Sequence, residues 1–238
     1  MTQHLPALLV IIPLMAAPVV ALLKWGRAAW GIALAASWAV LASAILLLRQ
    51  VMAEGVLSYA LGGWVPPIGI EYRIDLVNAW VVLIVAAVGA VVMPYALLSI
   101  EREVGPQRRP LMYAALLLCL TGLLGIAVTG DLFNLFVFLE ISSISAYTLV
   151  AAGQDRRALH SAFKYLVMGS IGATFIVIGI GMLYVMTGTL NMADLAERLP
   201  AVSSRTVSVA FAFLTVGISL KLALFPLHLW LPDAYTFA

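Results

Sequence analysis

Residues 5–23 read LPALLVIIPLMAAPVVALL, a run without a single charged side chain. A helix rises about 1.5 Å per residue and the hydrocarbon core of a bilayer is about 30 Å thick, so about 20 such residues span it. Six further stretches have the same character: about 28–48, 78–99, 110–129, 132–152, 161–187 and 206–225. In lipid the backbone must satisfy its own hydrogen bonds, so apolar runs of this length predict helices. A membrane barrel would instead show short alternating segments. Residues 1–4 carry no Lys or Arg. The first run is also longer than the apolar stretch of a cleavable signal, so it is expected to stay as a membrane helix.

The composition agrees. Of the 238 residues, 64% are apolar and only 10% are Asp, Glu, Lys or Arg. A soluble domain carries about 25% charged residues. This balance excludes a soluble enzyme and a disordered chain. With a net charge of +2 and no basic run, it also excludes a nucleic-acid binder. The single cysteine, Cys119, lies inside an apolar run and allows no disulfide framework and no iron–sulfur cluster held by this chain alone. No zinc, calcium or nucleophile-triad pattern is present, and no cofactor is expected.

One segment alternates. Around the Gly/Pro-rich stretch from Gly62 to Pro67, Ile68, Ile70, Tyr72 and Ile74 interleave with Gly69, Glu71, Arg73 and Asp75. Period-two alternation beside a turn predicts a small β-hairpin over about 56–75, outside the membrane between the second and third spans. Residues 188–205 form a second external segment with room for a short amphipathic helix. The positive-inside rule sets the orientation. Seven Lys/Arg follow spans one, three and five (Lys24, Arg27, Arg102, Arg108, Arg109, Arg156, Arg157), against four on the opposite side (Arg49, Arg73, Arg198, Arg205). The bias places the N-terminus and the hairpin outside a cell inner membrane.

The seventh run does not end normally. Lys221 is followed by Leu222-Ala223-Leu224-Phe225-Pro226-Leu227-His228-Leu229-Trp230-Leu231-Pro232-Asp233. Pro226 has no N–H to give the Leu222 carbonyl and its ring clashes there, so the helix should kink or break at membrane depth. The chain stops at Ala238 without a polar tail, which reads as a truncated chain.

Four polar residues sit in or beside these runs. Glu140 is near the middle of the fifth span and Lys221 is equally deep in the seventh. A central charge costs about 2.5–3.5 kcal/mol on insertion scales, so such residues have a partner or a task. Burial raises a carboxyl pKa and lowers an amine pKa, whereas proximity favours both charges. Opening or closing such a pair takes up or releases a proton. Lys164, four residues after His160, has two readings: a side chain snorkelling to the interface, or a member of a proton path. His228 either caps the break or relays protons. The helix break frees a carbonyl and admits water, as at transporter ion sites. Asp131 and Asn134 open the fifth span and read as caps, as does Asp233 for a following helix. Trp25, Trp30, Trp64 and Trp230 fit interfacial anchoring. Gly169, Gly172, Gly179 and Gly181 fit close helix packing in the sixth span.

These residues have a familiar arrangement. Thr129-Gly130-Asp131-Leu132-Phe133-Asn134-Leu135-Phe136-Val137-Phe138-Leu139-Glu140 resembles the fifth-helix signature of the antiporter-like family. That family comprises Mrp-type monovalent cation/proton antiporter subunits and the proton-pumping subunits of respiratory complex I. Ala162-Phe163-Lys164-Tyr165-Leu166 resembles its sixth-helix motif, and Lys221 with Phe225 to Ala234 its broken seventh helix. Leu61-Gly62-Gly63-Trp64 through Asp75 resembles the external hairpin of the Mrp-type D subunit. The resemblance implies a fold of about fourteen helices with two inverted repeats. Residues 1–109 would then be a three-helix segment with the hairpin, and 110–238 an incomplete first repeat, so that the chain is an N-terminal half. It also implies Glu140 and Lys221 as a coupled ion pair, Lys164 as an intermediate lysine and His228 near the proton path.

The expected protein is therefore an all-α polytopic membrane protein with about seven transmembrane helices, the seventh broken at Pro226, and a small external hairpin. Its expected partners are lipid, other subunits of a multi-subunit membrane complex, protons and a monovalent cation, sodium first among them. The alternatives are the pump subunit of a complex I-like NADH:quinone oxidoreductase or membrane-bound hydrogenase, without redox cofactors of its own, or an inactive fragment.

Overall fold

The computed structural model describes residues 2–153, 156–202 and 204–237. Among these residues six helices are long and apolar enough to cross a membrane: α1 (Leu5–Leu22), α2 (Gly26–Glu54), α3 (Leu76–Glu103), α4 (Arg109–Val128), α5 (Leu132–Ala151) and α6 (Arg156–Thr187). A short α7 (Met192–Arg198) precedes α8 (Arg205–Lys221) and α9 (Leu231–Phe237). Strands β1 (Leu57–Ala60) and β2 (Glu71–Ile74) pair antiparallel between α2 and α3, with Tyr59 opposite Tyr72 and Leu57 opposite Ile74. The chain is thus a polytopic helical membrane protein with one small hairpin.

Close packing here rests on small side chains. Lipid tails are as apolar as leucine, so helices associate by fit rather than by escape from water. Ala29, Ala33, Ala79 and Ala86 are fully buried where α1 to α4 meet, while Trp80, Ile84, Val88 and Val91 on α3 remain exposed as a lipid-facing surface. Helices α6 and α8 approach at Gly172 and Gly217, where a Cβ on Gly217 would stand 2.6 Å from the Gly172 carbonyl. Gly179 meets Leu214 in the same seam and Gly169 makes room for Tyr147. Gly181 departs from the expectation: it faces open space, off the packed stripe.

The hairpin is tied to the bundle. Its alternation holds for Tyr72, Arg73 and Ile74, but Glu71, expected on the polar face, is buried. Asn191 Nδ2 donates to its Oε2 at 2.8 Å and the Ser58 hydroxyl to its Oε1. Backbone bonds continue the junction: Gly130 N donates to Glu71 O, Met192 N to Gly130 O and Leu132 N to Leu190 O, all at 2.8–2.9 Å. The hairpin, the start of α5 and the segment before α7 therefore form one hydrogen-bonded junction.

α8 stops at Lys221, four residues short of the expected run, and regular helix resumes only at Leu231. The end is a Schellman motif: Ala223 N donates to Leu220 O at 3.2 Å and Leu224 N to Ser219 O at 3.0 Å. Ala223 takes φ 51°, the left-handed conformation usually given to glycine at this position. Its Cβ works against the break that Pro226 makes necessary. Ala223→Gly should therefore match or exceed the wild-type melting temperature in detergent. Ala223→Val, β-branched at a left-handed φ, should lose about 1–2 kcal/mol. A valine variant as stable as wild type would contradict this geometry.

Candidate functional site

α5 begins at a cap. The Asp131 carboxylate accepts from Asn134 N at 2.8 Å. Asn134 uses its side chain differently from the expected cap: Nδ2 donates to Thr129 Oγ1 at 3.0 Å. From this fixed start, Glu140 and Ser143 lie three residues apart on one face of α5, within reach of the same neighbour.

That neighbour is Lys221, the last residue of α8. Its Nζ donates to Glu140 Oε1 at 2.9 Å and to Ser143 Oγ at 2.6 Å. The Lys221 side chain is 12% exposed and that of Glu140 27%, so the pair is largely withdrawn without being sealed. The break serves the ammonium in a second way. It ends α8 at Lys221, and a cation at a helix C-terminus is favoured by the partial negative charge there. Sequence reasoning found both members of the pair but could not place them face to face. It missed Ser143, although the i, i+3 spacing from Glu140 carried the signal.

Lys164 joins a different pair. Its Nζ meets Asp233 Oδ2, in the first turn of α9, at 2.6 Å, with both side chains substantially exposed. Asp233 thus opens a helix, as expected, and also holds a lysine from α6. A pair this exposed contributes about 0–1 kcal/mol. Trp230 corrects the anchoring expectation, because it is buried. Its ring stacks on Tyr165 at 4.1 Å and its Nε1 donates to Leu220 O at 3.1 Å. Trp30 is half-buried and bonded to Met93 O, while Trp25 and Trp64 are well exposed. His228 lies in the 222–230 connection, its ring 5.5 Å from that of Phe225 and its buried Nδ1 without a hydrogen-bond partner among the described residues. The structure therefore brings Glu140 and Lys221 together, seats Lys164 on Asp233, and leaves His228 in the connection after Pro226. Among the described residues no group of three or more His, Cys, Asp or Glu is arranged to hold a metal ion.

Residues 129–238, which contain the cap, the ion pair and the break, match the family described as NADH:quinone oxidoreductase/Mrp antiporter, TM. That segment of the chain is a domain of this family. It is 46% identical over 241 residues to NADH-quinone oxidoreductase subunit N of Desulforudis audaxviator (strain MP104C), covering 100% of this chain and 48% of that protein. It is 36% identical over 193 residues to the D subunit of the Na(+)/H(+) antiporter of Bacillus subtilis (strain 168), covering 80% of this chain and 38% of the relative. A solved chain of the membrane-bound sulfane sulfur reductase, an archaeal respiratory membrane complex, superposes with a TM-score of 0.91 at 34% identity, covering 99% of this chain and 48% of that one. The chain thus spans half or less of the length of these relatives.

The cap yields a pH-dependent expectation. Burial raises the Asp131 carboxyl above its ordinary range, against the lowering effect of the backbone N–H groups it accepts. A carboxyl that binds its proton more tightly when folded gains stability as pH falls through the raised pKa and loses it as pH rises. Asp131→Asn keeps the acceptor and removes the buried charge. At pH 7 it should melt no lower than wild type, and wild type should gain on it as the pH falls toward 4. Asp131→Ala should lose about 1 kcal/mol at both pH values. Thermal melts in detergent check all three, and an Asn variant that melts lower by a pH-independent margin contradicts the assignment.

Proposed function

We propose that the chain is part of a membrane-complex subunit that translocates protons, in exchange for sodium or another monovalent cation. The observation that carries this reading is the Lys221–Glu140 contact of 2.9 Å at the broken end of α8. An amine and a carboxylate that favour charge when joined and neutrality when parted exchange a proton each time the contact opens or closes. The connection 222–230 supplies the unwound backbone at which water reaches such a pair. In this reading residues 110–238 are an incomplete first repeat of a longer transporter, and 1–109 the three-helix segment that carries the hairpin. Other membrane subunits surround it. The surplus of Lys/Arg after α1, α3 and α5 supports an inner-membrane protein with its N-terminus outside.

A second reading concerns the host complex. The 46% identity to an NADH-quinone oxidoreductase subunit and the 34% identity to a respiratory membrane complex favour a pump subunit within a redox assembly. Such a subunit needs no redox group of its own. The two readings assign the same chemistry to Glu140 and Lys221 and differ in what drives it. Purification of the native complex separates them. Small antiporter subunits support the first, whereas flavin- or iron–sulfur-bearing subunits support the second.

Glu140→Ala and Lys221→Ala, each in the full-length context, should reduce proton movement in vesicles by about a hundredfold or more, the scale on which a positioned acid or base acts. A pH-sensitive dye reads this directly. Wild-type movement in both variants would defeat the role assigned to the pair.

A further inference from the structure

Besides Glu140, Lys221 touches one other group on α5: the Ser143 hydroxyl. This serine behaves unlike its neighbours. Ser142, Ser145 and Thr148 each donate their hydroxyl hydrogen to a carbonyl of their own helix, at 2.9, 2.6 and 2.9 Å. That back-bonding is the ordinary resting place of a hydroxyl in a helix. Ser143 accepts from the ammonium instead, which leaves its own hydrogen to be given onward.

One turn further along α5, at i+4, stands Tyr147. It is only 7% exposed, and its hydroxyl stands beside that of Ser143, with no hydrogen bond of good geometry among the described residues. A buried hydroxyl without a partner is uncommon enough to require an explanation. The surroundings are shaped for it. Gly169 on α6 leaves the notch that receives the tyrosine oxygen, which any Cβ at that position would fill. The Tyr147 ring then meets Tyr165 edge-on at 4.5 Å, and Tyr165 stacks on Trp230. The file Glu140, Ser143, Tyr147 thus runs along α5 from the ion pair to the notch at Gly169.

We propose that Ser143 and Tyr147 form a two-hydroxyl relay for the proton that Lys221 releases. The inference rests on the reading of Glu140 and Lys221 given above. In the relay, Lys221 passes an N–H proton to Ser143 Oγ. Ser143 passes its original hydrogen to the Tyr147 oxygen, and Tyr147 passes its own to a water molecule, the acceptor that this relay requires beside Gly169. One proton enters and one leaves, both hydroxyls end neutral, and Lys221 ends as the free amine. Rotation of the two hydroxyls restores the starting arrangement.

The test compares five versions of the full-length subunit within its complex, in vesicles, with dye-reported proton flux normalised to assembled subunit. Ser143→Ala and Tyr147→Phe should each slow flux fivefold or more at unchanged assembly. Tyr147→Phe keeps the ring and its contact with Tyr165, so loss of packing cannot account for its deficit. Ser143→Thr restores the hydroxyl and should restore at least half of the wild-type rate, which a purely steric role for Ser143 would not produce. Glu140→Ala serves as the control for the underlying reading. If Glu140→Ala is inactive while Ser143→Ala and Tyr147→Phe run at wild-type rate, the relay is overturned and the pair stands. If Glu140→Ala also runs at wild-type rate, the pair's role falls and the relay falls with it.

Discussion

The site depends on a helix that cannot continue. α8 closes on a Schellman turn and ends at Lys221, and Pro226, with no hydrogen to offer the Leu222 carbonyl, keeps regular helix from running on. Three consequences follow from this stop. The lysine becomes a C-terminal residue, where the helix dipole favours its charge. The backbone beyond it unwinds, with carbonyls that regular helix would have occupied. The ammonium also becomes the free end of α8, directed to the face of α5 that carries Glu140 and Ser143. A continuous helix would bury the same lysine mid-span with none of these supports, at a cost of several kcal/mol.

The opposite requirement, rigidity, is met at the start of α5. Asp131 caps that helix, Gly130 binds the Glu71 carbonyl, and Asn191 holds the buried Glu71 carboxylate. α5 therefore starts from a fixed point tied to both the hairpin and the segment before α7. Glu140 is carried on an anchored helix, and Lys221 on a helix that ends in an unwound connection. The contact thus joins a helix with a tied start to a helix with an unwound end. The seam of Gly172, Gly179 and Gly217 keeps α6 and α8 close enough for α6 to support that end.

Much of this is legible in the sequence because the strongest signals are local. Long apolar runs mark spans, period-two alternation marks the hairpin, and proline marks the break. What escapes is nonlocal or depends on rotation about a helix axis. Glu71 looks like the polar half of an alternating strand, and only a partner 120 residues away explains its burial. Trp230 has the composition of an interfacial anchor, but the fold turns it inward onto Tyr165. Asp233 looks like a cap and also pairs with Lys164, because α9 packs beside α6. Gly181 shares the glycine-rich stretch of α6 and yet faces away from the seam. Apolar periodicity is weak when most faces of a helix are apolar, so it cannot say which side of α5 meets α8. The contact between Glu140 and Lys221 is implied by the family resemblance alone, and its geometry comes with the structure.

If the contact between Glu140 and Lys221 is what proton movement depends on, removing both partners must cost little more than removing one. Proton flux in vesicles, normalised to assembled subunit, is compared for wild type, Glu140→Gln, Lys221→Met and the double variant in the full-length context. The double variant should run about as fast as the slower single variant, because the second substitution removes a contact already lost. Losses that multiply in the double variant would contradict the claim that the two side chains act as one pair.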